Sequence, residues 1–330
     1  AYYMKYGLGK GWMGILFAVL MIITFGFAYN SVQSNTICLA WQKAFGIDPA
    51  TMGIVLTLLT LLIIFGGIQR VAKFSSTVVP VMAIIYLLIA VGVVIWNITC
   101  LPQVLLTIVE NAFGFNQAAG GVLGVTVIQG IKRGLFSNEA GEGSAPNAAA
   151  AATVSHPVKQ GLIQALGVFT DTLVVCSCTA FIILVSGVDV TASNGIQLTQ
   201  DALTHEIGSI GNPFVAVMIW LFAFSSIIGN YYYGETNVRY IKDSKLGVFI
   251  YRLAVAAMVM IGAVVSLDFA WSFADITMAL LTLCNLVAIV LLSRQAVFLL
   301  QDYRQQKKEG KNPVFSKDKM PEIADQLEAW

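Results

Sequence analysis

Long apolar runs, separated by short polar connections, fill most of this chain. A bilayer core takes about 20 apolar residues per helix. By that measure eight spans are predicted: Gly11–Tyr29 (continuing as a polar-faced helix to about Ala44), Ala50–Gly67, Thr77–Ile98, Gln117–Ala152, Gly161–Gly187, Pro213–Tyr233, Gly247–Leu267 and Phe273–Leu300. The pattern predicts an all-α polytopic membrane protein. From Gln301 to Trp330 the sequence is charged and holds Pro313 and Pro321, so a membrane domain over 1–300 is expected to precede a solvated tail over 301–330.

The fourth run breaks the pattern. Lys132, Arg133, Glu139 and Glu142 lie in it, interspersed with Gly134, Gly141, Gly143 and Pro146. Each ionised side chain at a bilayer centre costs about 2.5–3.5 kcal/mol on the insertion scale, so four facing lipid reach on the order of 10 kcal/mol. Such a segment persists where it is buried in protein, lines a watery cavity or reaches an interface. The glycines weaken a helix and Pro146 removes a backbone donor, so the span reads as broken. Broken membrane helices free N–H and C=O groups at mid-depth, which secondary transporters use to hold substrate carboxylates and Na⁺.

Composition agrees with the spans: 57% of residues are hydrophobic and 11% charged, against about 25% charged in a soluble domain. The net charge of +1 gives no basic face for nucleic acid. Lys5, Lys10, Arg70, Lys73, Lys159, Arg239, Lys242, Lys245, Arg252 and the bases from Arg294 to Lys319 fall on one side of the predicted spans. Lys43 stands on the other, among Asp48, Glu110, Asp189, Asp201, Glu206 and Asp268. The positive-inside rule then puts both ends of the chain in the cytoplasm. Cys38, Cys100, Cys176, Cys178 and Cys284 form no CxxC pair or finger spacing and read as small buried apolar side chains, so no transition-metal site is expected. No P-loop occurs, which removes the signature of ATP-driven pumping. His156 and His205 lie at or outside the span edges, so an intramembrane Ser/His protease lacks its base and no catalytic residue is assigned.

Within the spans, polar residues mark candidate sites. Asn30, Gln33 and Ser34 share a helix face, and amides that both donate and accept suit a zwitterionic ligand; they equally suit helix–helix stitching. Gln129 and Phe136 are two turns apart on one face, where Phe136 walls a pocket or simply packs. Asn138 and Glu139 can accept from ammonium groups or orient Lys132 and Arg133. Asp171 is a lone carboxylate in the fifth span, with Lys132 or Arg133 as candidate partners and either an ion pair or a proton relay as its use. Ser225 and Ser226 offer hard oxygens of the kind Na⁺ takes, or back-bond to the preceding turn. Asn230 lies one turn beyond Ser226 on the same face.

Gly134-Leu-Phe-Ser-Asn-Glu-Ala-Gly-x-Gly-Ser-Ala-Pro146, His156-Pro157 and Phe169-x-Asp-Thr-Leu-Val-Val-Cys176 together resemble the signature of the alanine/glycine:cation symporter family. Gly66-Gly-Ile-x-Arg70, Tyr232-Tyr-Gly-Glu235 and the opening Ala1-Tyr-Tyr also fit, so the resemblance covers nearly the whole chain. It implies Na⁺- or H⁺-coupled uptake of small neutral amino acids across a bacterial-type inner membrane. It also implies the leucine-transporter-like fold of two inverted repeats, with the eight spans here belonging to a set of about ten or eleven. The chain then reads as a fragment lacking the first two core helices, one of them the other broken helix, and should not transport alone. By the resemblance Gln33 and Phe136 line the substrate pocket and Ser225 and Ser226 hold sodium. Asn230 departs from the bulky aromatic that alanine- and glycine-selective members can carry there, which leaves room for glutamine or asparagine. Glu142 departs from an apolar residue and is of no consequence if it reaches the cytoplasmic interface.

The leading expectation is a secondary symporter working by alternating access. It uses Na⁺ as coupling ion without an organic cofactor, and its partners are the bilayer and a small neutral amino acid, with no obligate protein partner. Proton coupling through Glu139 and Asp171 stays open. A channel or non-transporting sensor built on the same spans is the reading from another class.

Overall fold

The computed structural model describes residues 1–66, 68–113, 120–322 and 324–327. Gly67 and Gln117, named above as span ends, and Trp330 lie outside the described residues, as do the side chains of Arg70 and Lys73. The described chain is helical throughout and contains no strand. In order the helices are α1 (Gly11–Phe45), α2 (Pro49–Gly66), α3 (Ile68–Trp96), α4 (Leu101–Ala112), α5 (Gly120–Asn138), α6 (Ala145–Ala149), α7 (Pro157–Val185), α8 (Ile196–Ile207), α9 (Gly211–Ile241), α10 (Lys245–Val264) and α11 (Leu267–Lys308).

Local signals explain where several begin. His156 caps α7: its ring accepts from the Val158 amide, and Pro157 occupies the first turn where no donor is missed. Ser244 and Ser266 cap α10 and α11 by accepting from Gly247 and Phe269. α1 ends at Gly46, whose φ of 67° is the left-handed conformation of a C-terminal cap. Two helices widen internally into π turns, α1 over Ile22–Tyr29 and α7 over Asp171–Cys176. Such loosened turns recur at functional positions.

Six helices are long and apolar enough to cross a membrane among the described residues, or seven if Pro80–Trp96 and Leu101–Ala112, bent by 103°, count as one span. α5 carries Gln129, Lys132 and Arg133 and is not among the six. The eight expected spans therefore map onto six clear crossings, a bent pair and an interrupted segment. α4 and α8 were not expected as helices: both are short and amphipathic and fall in what read as connections.

α1 sits at the centre. Half of its most apolar stretch is buried, 50% against 11% in α7, so α7 stands at the periphery of the described residues with Leu162, Leu166 and Leu173 exposed. Its polar residues stitch α1 to α10: Ser34 Oγ donates to the Val259 carbonyl at 2.6 Å, and Asn35 Nδ2 donates to the carbonyls of Gly262 at 3.1 Å and Val265 at 2.8 Å. A Cβ on Gly262 would lie 2.5 Å from Ser31 Cα, so only glycine permits the two backbones this close.

The tail differs from the solvated extension read from its charge. α11 runs on to Lys308, and the chain then folds back so that Phe315, 6% exposed, packs beside His156. The Phe315 amide donates to the Ser155 carbonyl at 2.8 Å, Lys159 Nζ to Asn312 Oδ1 at 2.6 Å, and Lys319 pairs with Asp302 at 2.6 Å. The fold-back is thus fastened to the start of α7 and the end of α11, while most of the tail's charged side chains stay exposed.

Two outcomes follow. Gly262→Val should destabilise the protein by about 1–3 kcal/mol through overpacking, read as a lower thermal midpoint in detergent, whereas Gly92→Ala, with nothing within 4 Å of its added Cβ, should not lower it. His156→Ala should release the tail and speed limited proteolysis after Lys311; an unchanged cleavage rate would mean that this docking contributes no stability.

Candidate functional site

The break between α5 and α6 is built from turn chemistry. Asn138 Oδ1 accepts from the Ala140 amide at 2.9 Å, an Asx turn that ends α5. Glu139 then takes φ 54°, and Gly141 and Gly143 take φ 88° and 83°. Gly143 has no alternative, since a Cβ there would lie 2.8 Å from both Asn285 Cγ and Phe17 Cζ. Asn285 on α11 donates its Nδ2 to the freed Gly141 carbonyl at 2.8 Å and accepts from Tyr3 Oη. Ser144 Oγ donates back to Glu139 Oε2 at 2.5 Å.

Beside this break lies a cavity of about 370 Å³ lined by Tyr29, Gln33, Phe136, Ser137, Glu139, Ser226, Gly229, Asn230 and Tyr233. It joins α1, the end of α5, and α9. Five residues singled out in the sequence meet here: Gln33, Phe136, Glu139, Ser226 and Asn230. Asn30 is fully buried behind the lining. It donates to the Gly26 carbonyl at 3.0 Å and accepts from Asn230 Nδ2 at 3.2 Å, so it sets the orientation of Asn230. Ser225 is not among the lining residues, and Gln129 is exposed on α5 away from them. Both hydroxyls of the serine pair donate to the Phe222 carbonyl, at 2.7 Å from Ser225 and 3.1 Å from Ser226. Of the two, Ser226 alone adds an oxygen to the cavity wall.

Phe136 is held as a layer in an aromatic stack, 4.6 Å from both Tyr29 and Trp271 between ring centroids. The Arg133 guanidinium caps that stack, 4.0 Å from the Trp271 ring centroid. The charged partners differ from the expected ones. Arg133 and Lys132 both pair with Asp275 on α11, Lys132 at 3.2 Å, and not with Asp171. Asp275 is a carboxylate within the apolar stretch of α11, the same signal that marked Asp171, and was missed because it stands near a span edge. Asp171 instead accepts from Ser137 Oγ at 2.5 Å, while Asn138 Nδ2 donates to Thr172 Oγ1 at 2.8 Å. These bonds tie the end of α5 to the widened turn of α7.

Glu142 also departs from expectation. It does not reach an interface: it is fully buried, and Tyr29 Oη donates to its Oε1 at 2.7 Å. Tyr29, one turn before Gln33, and Tyr233, which packs edge-on to Phe25 at 5.3 Å, are lining residues that were not singled out. The i, i+4 spacing of Tyr29 and Gln33 was the available signal. A second cavity of about 700 Å³, opening beside α7 and α11, shares Glu139 and Tyr233 with the first, so these two side chains belong to a wall between chambers.

The motifs that carry the helix break also carried the family resemblance, and similarity to known proteins bears on the family. Residues 1–317 match the sodium:alanine symporter family. A probable sodium/glutamine symporter, GlnT of Bacillus subtilis, is 54% identical over 96% of this chain and 67% of its own length. The amino-acid carrier protein AlsT of the same organism is 52% identical over 100% of this chain and 70% of its own. The sodium/alanine symporter AgcS of Methanococcus maripaludis is 35% identical over 93% of this chain and 68% of its own. Fold, break and similarity converge: this chain is a multi-pass membrane protein that belongs to the sodium:alanine symporter family.

Proposed function

We propose that the protein is a secondary symporter that couples entry of Na⁺ to uptake of a small neutral amino acid by alternating access, and that the 370 Å³ cavity is its substrate site. The observation that carries this is the convergence of Gln33, Asn230, Glu139 and Ser226 on one chamber at a helix break. A zwitterion needs donors for its carboxylate and an acceptor for its ammonium. Gln33 and Asn230 supply amide donors, Glu139 supplies the acceptor, and the Tyr29–Phe136–Trp271 stack gives the side chain an apolar wall. Ser226 is the chamber's candidate oxygen for Na⁺, with Ser225 behind it. A ligand shifts the equilibrium between access states only through its differential affinity for them, and a break whose backbone groups are rearranged supplies that difference.

The architecture we assign is the inverted-repeat, leucine-transporter-like bundle, with α5 and α6 as the interrupted crossing of eight and a transport domain over 1–300. Charge grouping supports the sidedness proposed for it. Lys43 pairs with Asp201 at 2.5 Å at one end of the bundle, while His156, Lys159, Asp302 and Lys319 cluster at the other. We place the basic cluster and both chain ends at the cytoplasmic face of a bacterial-type inner membrane.

Glutamine is the amide-bearing substrate we favour beside alanine, because Asn230 leaves the chamber a polar wall where an aromatic ring would fill it. In the complete protein, Asn230→Phe should abolish competition of alanine uptake by glutamine while alanine itself still competes. If wild-type uptake is competed by glycine and alanine alone, the glutamine assignment falls. Ser226→Ala should raise the Na⁺ concentration needed for half-maximal uptake by about tenfold, the loss of one oxygen contact worth about 1.4 kcal/mol. Unchanged Na⁺ activation would remove Ser226 from the ion site.

A further inference from the structure

We infer that Glu142 is a proton-binding site of the transport cycle, loading a proton on its Oε2 when the helix break is packed as it is here. The inference rests on the symport reading and adds a second coupling ion to it. Glu142 is 0% exposed, Tyr29 Oη occupies its Oε1, and its Oε2 has no hydrogen-bond partner. Among the described residues no Lys, Arg or His lies within ion-pair distance of it. The cations of the preceding helix, Lys132 and Arg133, are committed to Asp275.

The ionisable groups that face Glu142 are few and none is a base. Tyr29 approaches from α1, Glu139 from its own turn, and Asp275 acts on Tyr29 from α11. Asp171 on α7 acts in turn on Glu139, and Glu139 acts on Tyr233 of α9. Glu142 therefore meets only acidic or neutral groups. An ionised carboxylate buried with one donor and no cation is far costlier than a neutral acid that lacks one hydrogen bond. A hard metal ion is not the better occupant, because such ions take about six or more oxygen ligands in the Ca²⁺ case, whereas Oε2 has no polar partner and Gly143 is closed in by Asn285 and Phe17. In the proton step a hydronium ion gives its proton to Oε2, forming the Oε2–H bond and leaving water. Release reverses it once the turn opens and water can solvate the carboxylate. The other carboxylates of this region are satisfied differently: Glu139 by Ser144, Asp171 by Ser137 and Cys176, and Asp275 by Lys132 and Arg133.

The test uses the complete protein in proteoliposomes, with alanine as substrate and a pH-sensitive dye inside. Wild type should accumulate alanine when only the outside is acidic and Na⁺ is equal on both sides, with proton entry reported by the dye. Glu142→Gln, which fixes the neutral shape, should lose at least tenfold of that proton-driven accumulation and the dye response, yet still exchange internal for external alanine. Tyr29→Phe removes only the donor to Oε1, so the midpoint of uptake against pH should move to higher pH. Proton-driven accumulation retained by Glu142→Gln, or an unmoved midpoint in Tyr29→Phe, overturns the assignment. So does wild type that accumulates alanine on a Na⁺ gradient and never on a pH gradient. Wild type that neither exchanges nor accumulates under either gradient overturns the symport reading itself.

Discussion

The hydrogen bond from Asn285 to the Gly141 carbonyl is the contact on which the site depends. A helix that breaks inside a membrane leaves carbonyls and amides that lipid cannot satisfy, each costing several kcal/mol if orphaned. Asn285 reaches across from α11 to take up one of them, while Tyr3 holds the amide in place from the start of the chain. The same side chain fills the space a Cβ on Gly143 would need. Remove the asparagine and the turn loses its partner and its packing together, and Glu139 and Glu142 lose the geometry that points one into the chamber and the other into the protein.

Around that contact the molecule divides its polar groups by task. On α1 they face α10 and act as stitching, with Ser34 and Asn35 donating to backbone carbonyls across a glycine seam. On another face of the same helix, Tyr29 and Gln33 line the chamber. The charges of α5 close on Asp275 and stack on Trp271, so they anchor the aromatic wall and stay clear of its interior.

Much of this was legible in the sequence, and the reasons differ by element. The crossings were readable because hydrophobic length is set by bilayer thickness, and α1, α2 and α10 stand within a few residues of their expected ends, while α9 runs eight residues past its own. The break was readable because glycine, proline and charge coincide in one apolar run. Four of the chamber's amide, aromatic and hydroxyl residues were named from face spacing and motif together: Gln33, Phe136, Ser226 and Asn230. Partners across the fold were not readable. Nothing local distinguishes Asp275 from Asp171 as the counter-ion of Lys132 and Arg133, because that choice is made by which helix stands opposite α5. Gln129 lies outside the chamber for a related reason: two turns from Phe136 places it on the same face, but the chamber ends before reaching it. The docked tail was hidden because charge reads as solvation until a buried ring such as Phe315 shows that the segment has somewhere to pack.

Two chambers that share Glu139 and Tyr233 raise a question of rates. Side chains turn over in picoseconds to nanoseconds when free, whereas helices rock in microseconds to milliseconds, a gap of about a thousandfold or more. A wall made of free side chains would rearrange many times during any one movement of the helices. Ser144 pins Glu139 at 2.5 Å and Phe25 braces the Tyr233 ring at 5.3 Å. The residues that separate the two chambers are thus each held by a partner outside the wall, so the integrity of that wall is as much a property of Ser144 and Phe25 as of the residues that form it.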